Sequence, residues 1–422
     1  MNYSQMSKEA LKALLEKETV RYDNYKSEGL NLDLSRGKPC REQLDISMDY
    51  FDVLSKTTAF CMTPDYRNYG LIDGIPEMKD IFGDLINVSR DEIIVMGNSS
   101  LNLMYDTVQR GLQFGFFGMP PQSENNNRKW LCPVPGYDRH FKVTEVLGYQ
   151  LITIPMKNDG PDMDLIEEYI KDDSVKGIWC VPKYSNPQGI VYSEEVVNRF
   201  AKLSPAAKDF RVYWDNAYMV HCVEETDTAL KDVFKEAKKY GNEDMFFMFG
   251  STSKITFAGS GVAFIAGSKN NMDYLKELMS VQTIGPDKLA QYAHALYFKN
   301  AKGVKFLMKK HAEILRPKFN KVLTVMKEEF SDTGIADWIE PKGGYFISCD
   351  LMPGTARDTL DLAKAAGVKF TPAGSTYPYG IDPNDSNVRL APSFPPIDEL
   401  EKAMRIFCIS AKIVAIKRLL AV

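Results

Sequence analysis

Lys254 sits in Phe249-Gly250-Ser251-Thr252-Ser253-Lys254, a run of small residues between two apolar segments. A solvated surface lysine rarely has such neighbours. Desolvated next to a cationic group, its amine loses basicity and suits Schiff-base and proton-transfer work. A surface loop lysine fits the same segment when it is read alone. Asp215 closes the apolar run Arg211-Val-Tyr-Trp-Asp215, with Tyr218 three residues on. A carboxylate at a buried strand end is costly without a positive partner, and a protonated ring nitrogen would be one. An Asp capping the next helix is the other reading.

Three further segments carry polar groups just after an apolar run, where open α/β sheets place ligands. In Val95-Met96-Gly97-Asn98-Ser99-Ser100 a strand ends at glycine and a helix begins. Its free N–H groups and positive end could cradle a phosphate, although Ser and Asn also serve as ordinary caps. Val181 to Gly189, with Asn186-Pro187 inside it, reads as a tight turn after a strand. Arg389, in Asn387-Val388-Arg389, could grip a carboxylate through two parallel N–H groups or form a surface salt bridge. The order and spacing of all these segments carry more than any one of them.

The elements that must position these groups alternate along the chain. Residues 7–28 read as an amphipathic helix ending near Gly29, and Asn31 to Pro39 as a short strand entering a polar turn. Short apolar runs begin at Ile93, Lys129, Gln150, Gly177, Arg211, Met245 and Val262, with helical stretches between them. That alternation predicts a buried, largely parallel sheet with helices on both faces. Residues 288–330 read as a long helical stretch interrupted at Pro317. Beyond it, Gly343-Gly344-Tyr345-Phe346 opens a second α+β region that ends in a helix over 396–420.

Bulk properties narrow the function. At 422 residues two lobes are expected. A net charge of -4 gives no basic footprint for nucleic acid. No apolar run approaches bilayer length, and the polar start lacks a signal-peptide core. The 7 cysteines are scattered without paired ligand spacing, which argues against a disulfide framework or a metal site and suits a reducing cytosol.

Taken together, Asn186-Pro187, Asp215-x-x-Tyr218, Ser-x-Ser-Lys254 and Arg389 resemble the fold-type I pyridoxal-phosphate (PLP) enzymes, in particular the class I/II aminotransferases. YSNPQG, YWDNAY, STSKITFAGSG and PSFPP are similar to the type Ic bacterial aspartate aminotransferases, relatives of the aminotransferase-like domain of MocR regulators. The resemblance implies a large PLP-binding domain over 50–295 and a small domain built from 1–49 and 296–422. It implies that Lys254 forms the internal aldimine, that Asp215 faces the pyridinium nitrogen, and that Asn186 and Tyr218 bond the ring oxygen. Tyr137 would stack on the ring, and His140 would stand behind Asp215. Ser99, Ser100, Ser251 and Ser253 would surround the phosphate, and Tyr69 would reach the phosphate of a second subunit in a homodimer. Arg389, helped by the backbone near Gly37, would bind the α-carboxylate, and Arg139 or Arg36 the side-chain carboxylate of aspartate.

One position departs from the pattern. Many such enzymes clamp the phosphate with an arginine eight residues after the lysine, where this chain has Val262. The expectation is weaker cofactor retention, or compensation by Lys183 or Lys288. The implied reaction is ping-pong transfer from aspartate to 2-oxoglutarate. Its rivals are transamination of aromatic or neutral amino acids, a β-lyase, and a PLP-sensing regulatory domain. Only about thirty residues precede the first site motif, too few for the DNA-binding domain that such a regulator carries.

Overall fold

The computed structural model describes residues 2–57 and 64–421, so Cys61 lies outside the described residues. Eight strands form the main sheet, in the order Ile93–Val95, Ala263–Gly267, Phe246–Ser251, Arg211–Asp215, Val175–Cys180, Lys129–Val134, Gln150–Lys157 and Gly160–Pro161. The pairings from Phe246–Ser251 through to Gln150–Lys157 are parallel. Ala263–Gly267 runs antiparallel to both of its neighbours, so Ile93–Val95 points the same way as the parallel block. The strands predicted from the apolar runs are therefore all present, in one sheet.

Successive side chains on a strand point to opposite faces, and here both faces are covered. Val212 and Trp214 face a core shared with Phe82, Phe200 and Phe246. Tyr213, between them, faces the other core with Trp130, Trp179 and Phe249. This explains why the strands read as continuous apolar runs without alternation.

A third core gathers both ends of the chain. Tyr3, Leu11, Tyr22 and Leu32 pack with Phe319, Ile347, Leu390 and Phe407. A smaller antiparallel sheet, Ala336–Trp338, Ile347–Leu351 and Asn387–Leu390, lies here, and Leu32–Asp33 pairs in parallel with Val368–Lys369. The expected interruption at Pro317 is not found. The helix Ala301–Phe330 passes through Pro317 unbroken, and the break falls earlier, at Lys299, whose φ of 66 starts a new helix capped by Asn300. The cap side chain accepts from two backbone N–H groups and so fixes the helix start, while burial of Leu315, Phe319 and Val322 on either side of Pro317 carries the helix through the proline.

One buried ion network ties this third core. Glu329 accepts from Arg21 on the first helix (2.7 Å) and from Arg405 (2.9 Å) and Lys412 on the last. Burial alone would raise the Glu329 carboxyl, but hydrogen bonds from Arg21 and Lys412 outweigh it and bring it from 4.5 down to about 2. Its stabilising contribution is thus complete above about 4.5 and is lost as pH falls toward 2. Glu329→Gln, which leaves buried Lys412 short of its nearest anion, is expected to cost about 3 kcal/mol in denaturant unfolding. A loss below about 0.5 kcal/mol would contradict a structural role for the network.

Candidate functional site

Because the parallel strands share a direction, their C-terminal ends lie along one edge of the sheet. Asp215 ends its strand there, and Lys254 follows the strand Phe246–Ser251 by three residues. Tyr137, Asn186 and Ser99 stand in the loops after the strands ending at Val134, Cys180 and Val95. Arg389 comes from the smaller sheet, where it pairs with Ser348. These groups converge on one cleft of about 590 Å³. Ser99, Ser100, Tyr137, Asn186, Asp215, Tyr218, Ser251, Ser253, Lys254, Gly37 and Arg389 all line it, as do Arg36 and Arg139 at its exposed rim.

The floor is built around Asp215, which is 4% exposed. His140 Nε2 lies 3.0 Å from Asp215 Oδ2, and the imidazole is itself fixed by stacking on Trp179 at 4.5 Å and 13°. Asp215 Oδ1 has no hydrogen-bond partner among the described residues. A strand-end carboxylate with one oxygen bonded and the other bare is set to receive a cationic or N–H donor from the cleft. No helix begins at Asp215, which excludes the capping alternative.

Lys254 Nζ stands 5.0 Å from the centre of the Tyr218 ring. Burial pushes its amine below the ordinary lysine range, and the charge of Asp215 pulls part of that shift back. Its backbone carbonyl accepts from the Tyr345 hydroxyl at 3.4 Å, and Gln43 Nε2 donates to that hydroxyl at 3.0 Å. Burial keeps Tyr218 protonated far above neutrality and raises Tyr137 to about 12, so both phenols are available as donors.

The cleft lining includes a cradle of hydroxyls. Ser99 is the cap of the helix Ser100–Phe114, yet its side chain makes no capping hydrogen bond. That leaves its hydroxyl and the first N–H groups of the helix available to an anion. Ser251 Oγ and Ser253 Oγ lie 3.0 Å apart beside it. In the same cleft Arg389, 7% exposed, lies 4.9 Å over the Phe346 ring. Gly37 lets that ring approach, since a Cβ there would sit 2.4 Å from Phe346. Arg389 Nη1 donates to Asp138 Oδ1 (2.9 Å) and Asn186 Oδ1 (3.3 Å), and its Nε has no partner among the described residues.

The family described as aspartate amino-transferase matches residues 6–421. The chain belongs to the aspartate aminotransferase family. It is 45% identical over 386 residues to the aspartate aminotransferase of Corynebacterium glutamicum, covering 91% of this chain and 89% of that one. A crystal structure of an aspartate transaminase from the same organism superposes with a TM-score of 0.96 at 42% identity, covering 99% of both chains. An α-aminoadipate aminotransferase of Thermus thermophilus, solved with N-(5'-phosphopyridoxyl)-L-leucine, shares the fold at a TM-score of 0.75 and 19% identity, over 96% of this chain and 97% of that one.

As a family member this chain is an aminotransferase with the fold-type I architecture, and one of its site details departs from the sequence reading. Neither proposed substitute for the missing phosphate arginine lines the cleft. Lys183 Nζ is bound to Asp227 (2.7 Å) and the Met219 carbonyl, and Lys288 Nζ to the Gly70 carbonyl (3.1 Å). Val262 is buried, with its N–H on Thr252 Oγ1. Tyr69, expected to serve a second subunit, is 79% exposed and does not line this chain's own cleft. Asp138, Phe346 and Lys369 line it without having been singled out from the sequence. For Asp138 a signal existed, since an acid directly after Tyr137 begins a helix at a strand end.

Since Asp215 holds the Lys254 amine up, Asp215→Asn is expected to lower the pH midpoint for acylation of Lys254 in cofactor-free protein. Peptide mapping after labelling across a pH series measures it, and an unchanged or raised midpoint would refute the coupling.

Proposed function

We propose that this aminotransferase uses pyridoxal phosphate to move the amino group of aspartate to 2-oxoglutarate. The observation that carries the reading is the bare Asp215 Oδ1 in a cleft that also contains Lys254, a hydroxyl cradle and Arg389. That donor set fits the cofactor: an amine for its aldehyde, an acid for its ring nitrogen, and hydroxyls with helix N–H groups for its phosphate. When bound, the cofactor supplies an electrophilic carbon and a ring that delocalises the electron pair left at the substrate Cα.

The residues then divide the work. Lys254 would hold the cofactor through its Nζ, and the same amine, when free, would take the proton from the substrate Cα. Its lowered basicity leaves more of the amine neutral for that step. Asp215, oriented by His140, keeps a proton on the ring nitrogen. Tyr218 donates to the ring oxygen, Asn186 assists there, and Tyr137 covers the ring. Ser99, Ser100, Ser251 and Ser253 bind the phosphate without the cation that Val262 replaces. Arg389 binds the α-carboxylate. Arg139 is our first choice for the side-chain carboxylate and Arg36 the second, since both are exposed cations on the rim. The two half-reactions share one site, which gives ping-pong kinetics.

We further infer a large domain over 50–295, a small one from 1–49 and 296–422, and a homodimer in which Tyr69 reaches the partner's phosphate. Exposed Tyr69, Val281 (91%) and Ile284 (64%) support an apolar contact surface. The 6 free thiols among the described cysteines favour the cytosol.

Borohydride reduction followed by peptide mapping should place a phosphopyridoxyl label on Lys254, and aspartate should shift the absorption of unreduced enzyme toward the pyridoxamine form. No label on that peptide refutes the cofactor role, and a shift with aromatic donors alone refutes the substrate. Arg139→Ala should raise KM for aspartate at least about tenfold more than KM for alanine. Equal effects on the two donors would eliminate Arg139.

A further inference from the structure

Arg389 is paired across the cleft, and its partner is the unusual part. The guanidinium comes from the smaller sheet, and Asp138 is the first residue of the helix Asp138–Val146 on the edge of the large one. The 2.9 Å contact between Nη1 and Asp138 Oδ1 therefore spans the two sheets through the site itself. A carboxylate already sits on the cation to which an amino acid's carboxylate must bind.

We propose that Asp138 is a resident stand-in for the substrate carboxylate, holding Arg389 in position until the substrate displaces it. The inference rests on the reading of Arg389 as the α-carboxylate site. A buried guanidinium without an anion would carry an uncompensated charge and a loose geometry. Asp138 supplies the anion, while Asn186 Oδ1 and the Phe346 ring fix the plane of the guanidinium.

Displacement is feasible because the two partners differ in burial. The Asp138 side chain is 35% exposed and that of Arg389 only 7%, so the acid can turn into solvent while the base stays. In the first turn of its helix the released carboxylate is also favoured by the helix dipole. The exchange trades one charge-assisted bond for another, so it weakens every carboxylate ligand by a common factor. The same exchange speeds release, since Asp138 is at hand to take back the cation. Asp138 thus acts as a positioning residue that sets affinity without touching the reacting atoms.

Two variants of the holoenzyme test this, Asp138→Asn, which keeps an acceptor for Nη1 but removes the charge, and Asp138→Ala. Binding of two inert probes, maleate and propionate, is followed through the cofactor absorption band. The expected result is tighter binding of both probes by a shared factor of roughly ten, with KM for amino acid and oxo acid falling more than kcat. Unchanged or weaker binding in either folded variant would overturn the proposal. Arg389→Lys separates the two layers. If it weakens both probes while the Asp138 variants change nothing, only the stand-in role fails. If it leaves both probes unaffected, the Arg389 reading fails and the stand-in role with it.

Discussion

Asp215 is an acid on a buried strand end that lines the cleft, with one oxygen held by His140 and the other buried without a hydrogen-bond partner among the described residues. Burying a carboxylate in that state costs on the order of several kcal/mol, far more than a folded chain gives up without return. The return is a site where a positive N–H donor binds strongly, because water and competing donors are excluded. Around this deficit the rest of the molecule is arranged. Trp179 fixes the imidazole, Lys254 sits within electrostatic reach, and the hydroxyl cradle and Arg389 line the same cleft.

The fold makes this arrangement accessible. Parallel strands deliver all their C-terminal ends to one edge, so residues as distant in sequence as Ser99, Tyr137, Asn186, Asp215 and Lys254 meet without long loops. The antiparallel strand Ala263–Gly267 reverses the chain once and lets Ile93–Val95 add its end to the same edge. Arg389 has to come from elsewhere, and the smaller sheet brings it over the cleft on a ring that only a glycine at position 37 would admit.

Much of this was legible in the chain before any coordinates. The strands were visible because both faces of the sheet are buried, so Arg211–Asp215 and Phe246–Ser251 are apolar throughout. Lys254, Asp215, Tyr218 and Arg389 were visible through their joint order and spacing, since each alone also fitted an ordinary loop, cap or salt bridge. What escaped depends on three-dimensional partners. Nothing near Asp138 in sequence announces Arg389, which is 251 residues away. Pro317 looked like a break because proline removes a helix hydrogen bond, but the core packing of Leu315, Phe319 and Val322 holds the helix together there. Lys183 and Lys288 were candidates for the phosphate on charge alone, and their lysine heads are spent on Asp227 and the Gly70 carbonyl.

The most direct measurement is nitrogen NMR of the protein reconstituted with pyridoxal phosphate labelled at the ring nitrogen. If the bare oxygen of Asp215 faces that atom, the resonance will be that of a protonated pyridine in the wild type and will lose that character in Asp215→Asn. A wild-type resonance typical of an unprotonated ring, or one that Asp215→Asn does not move, would contradict it.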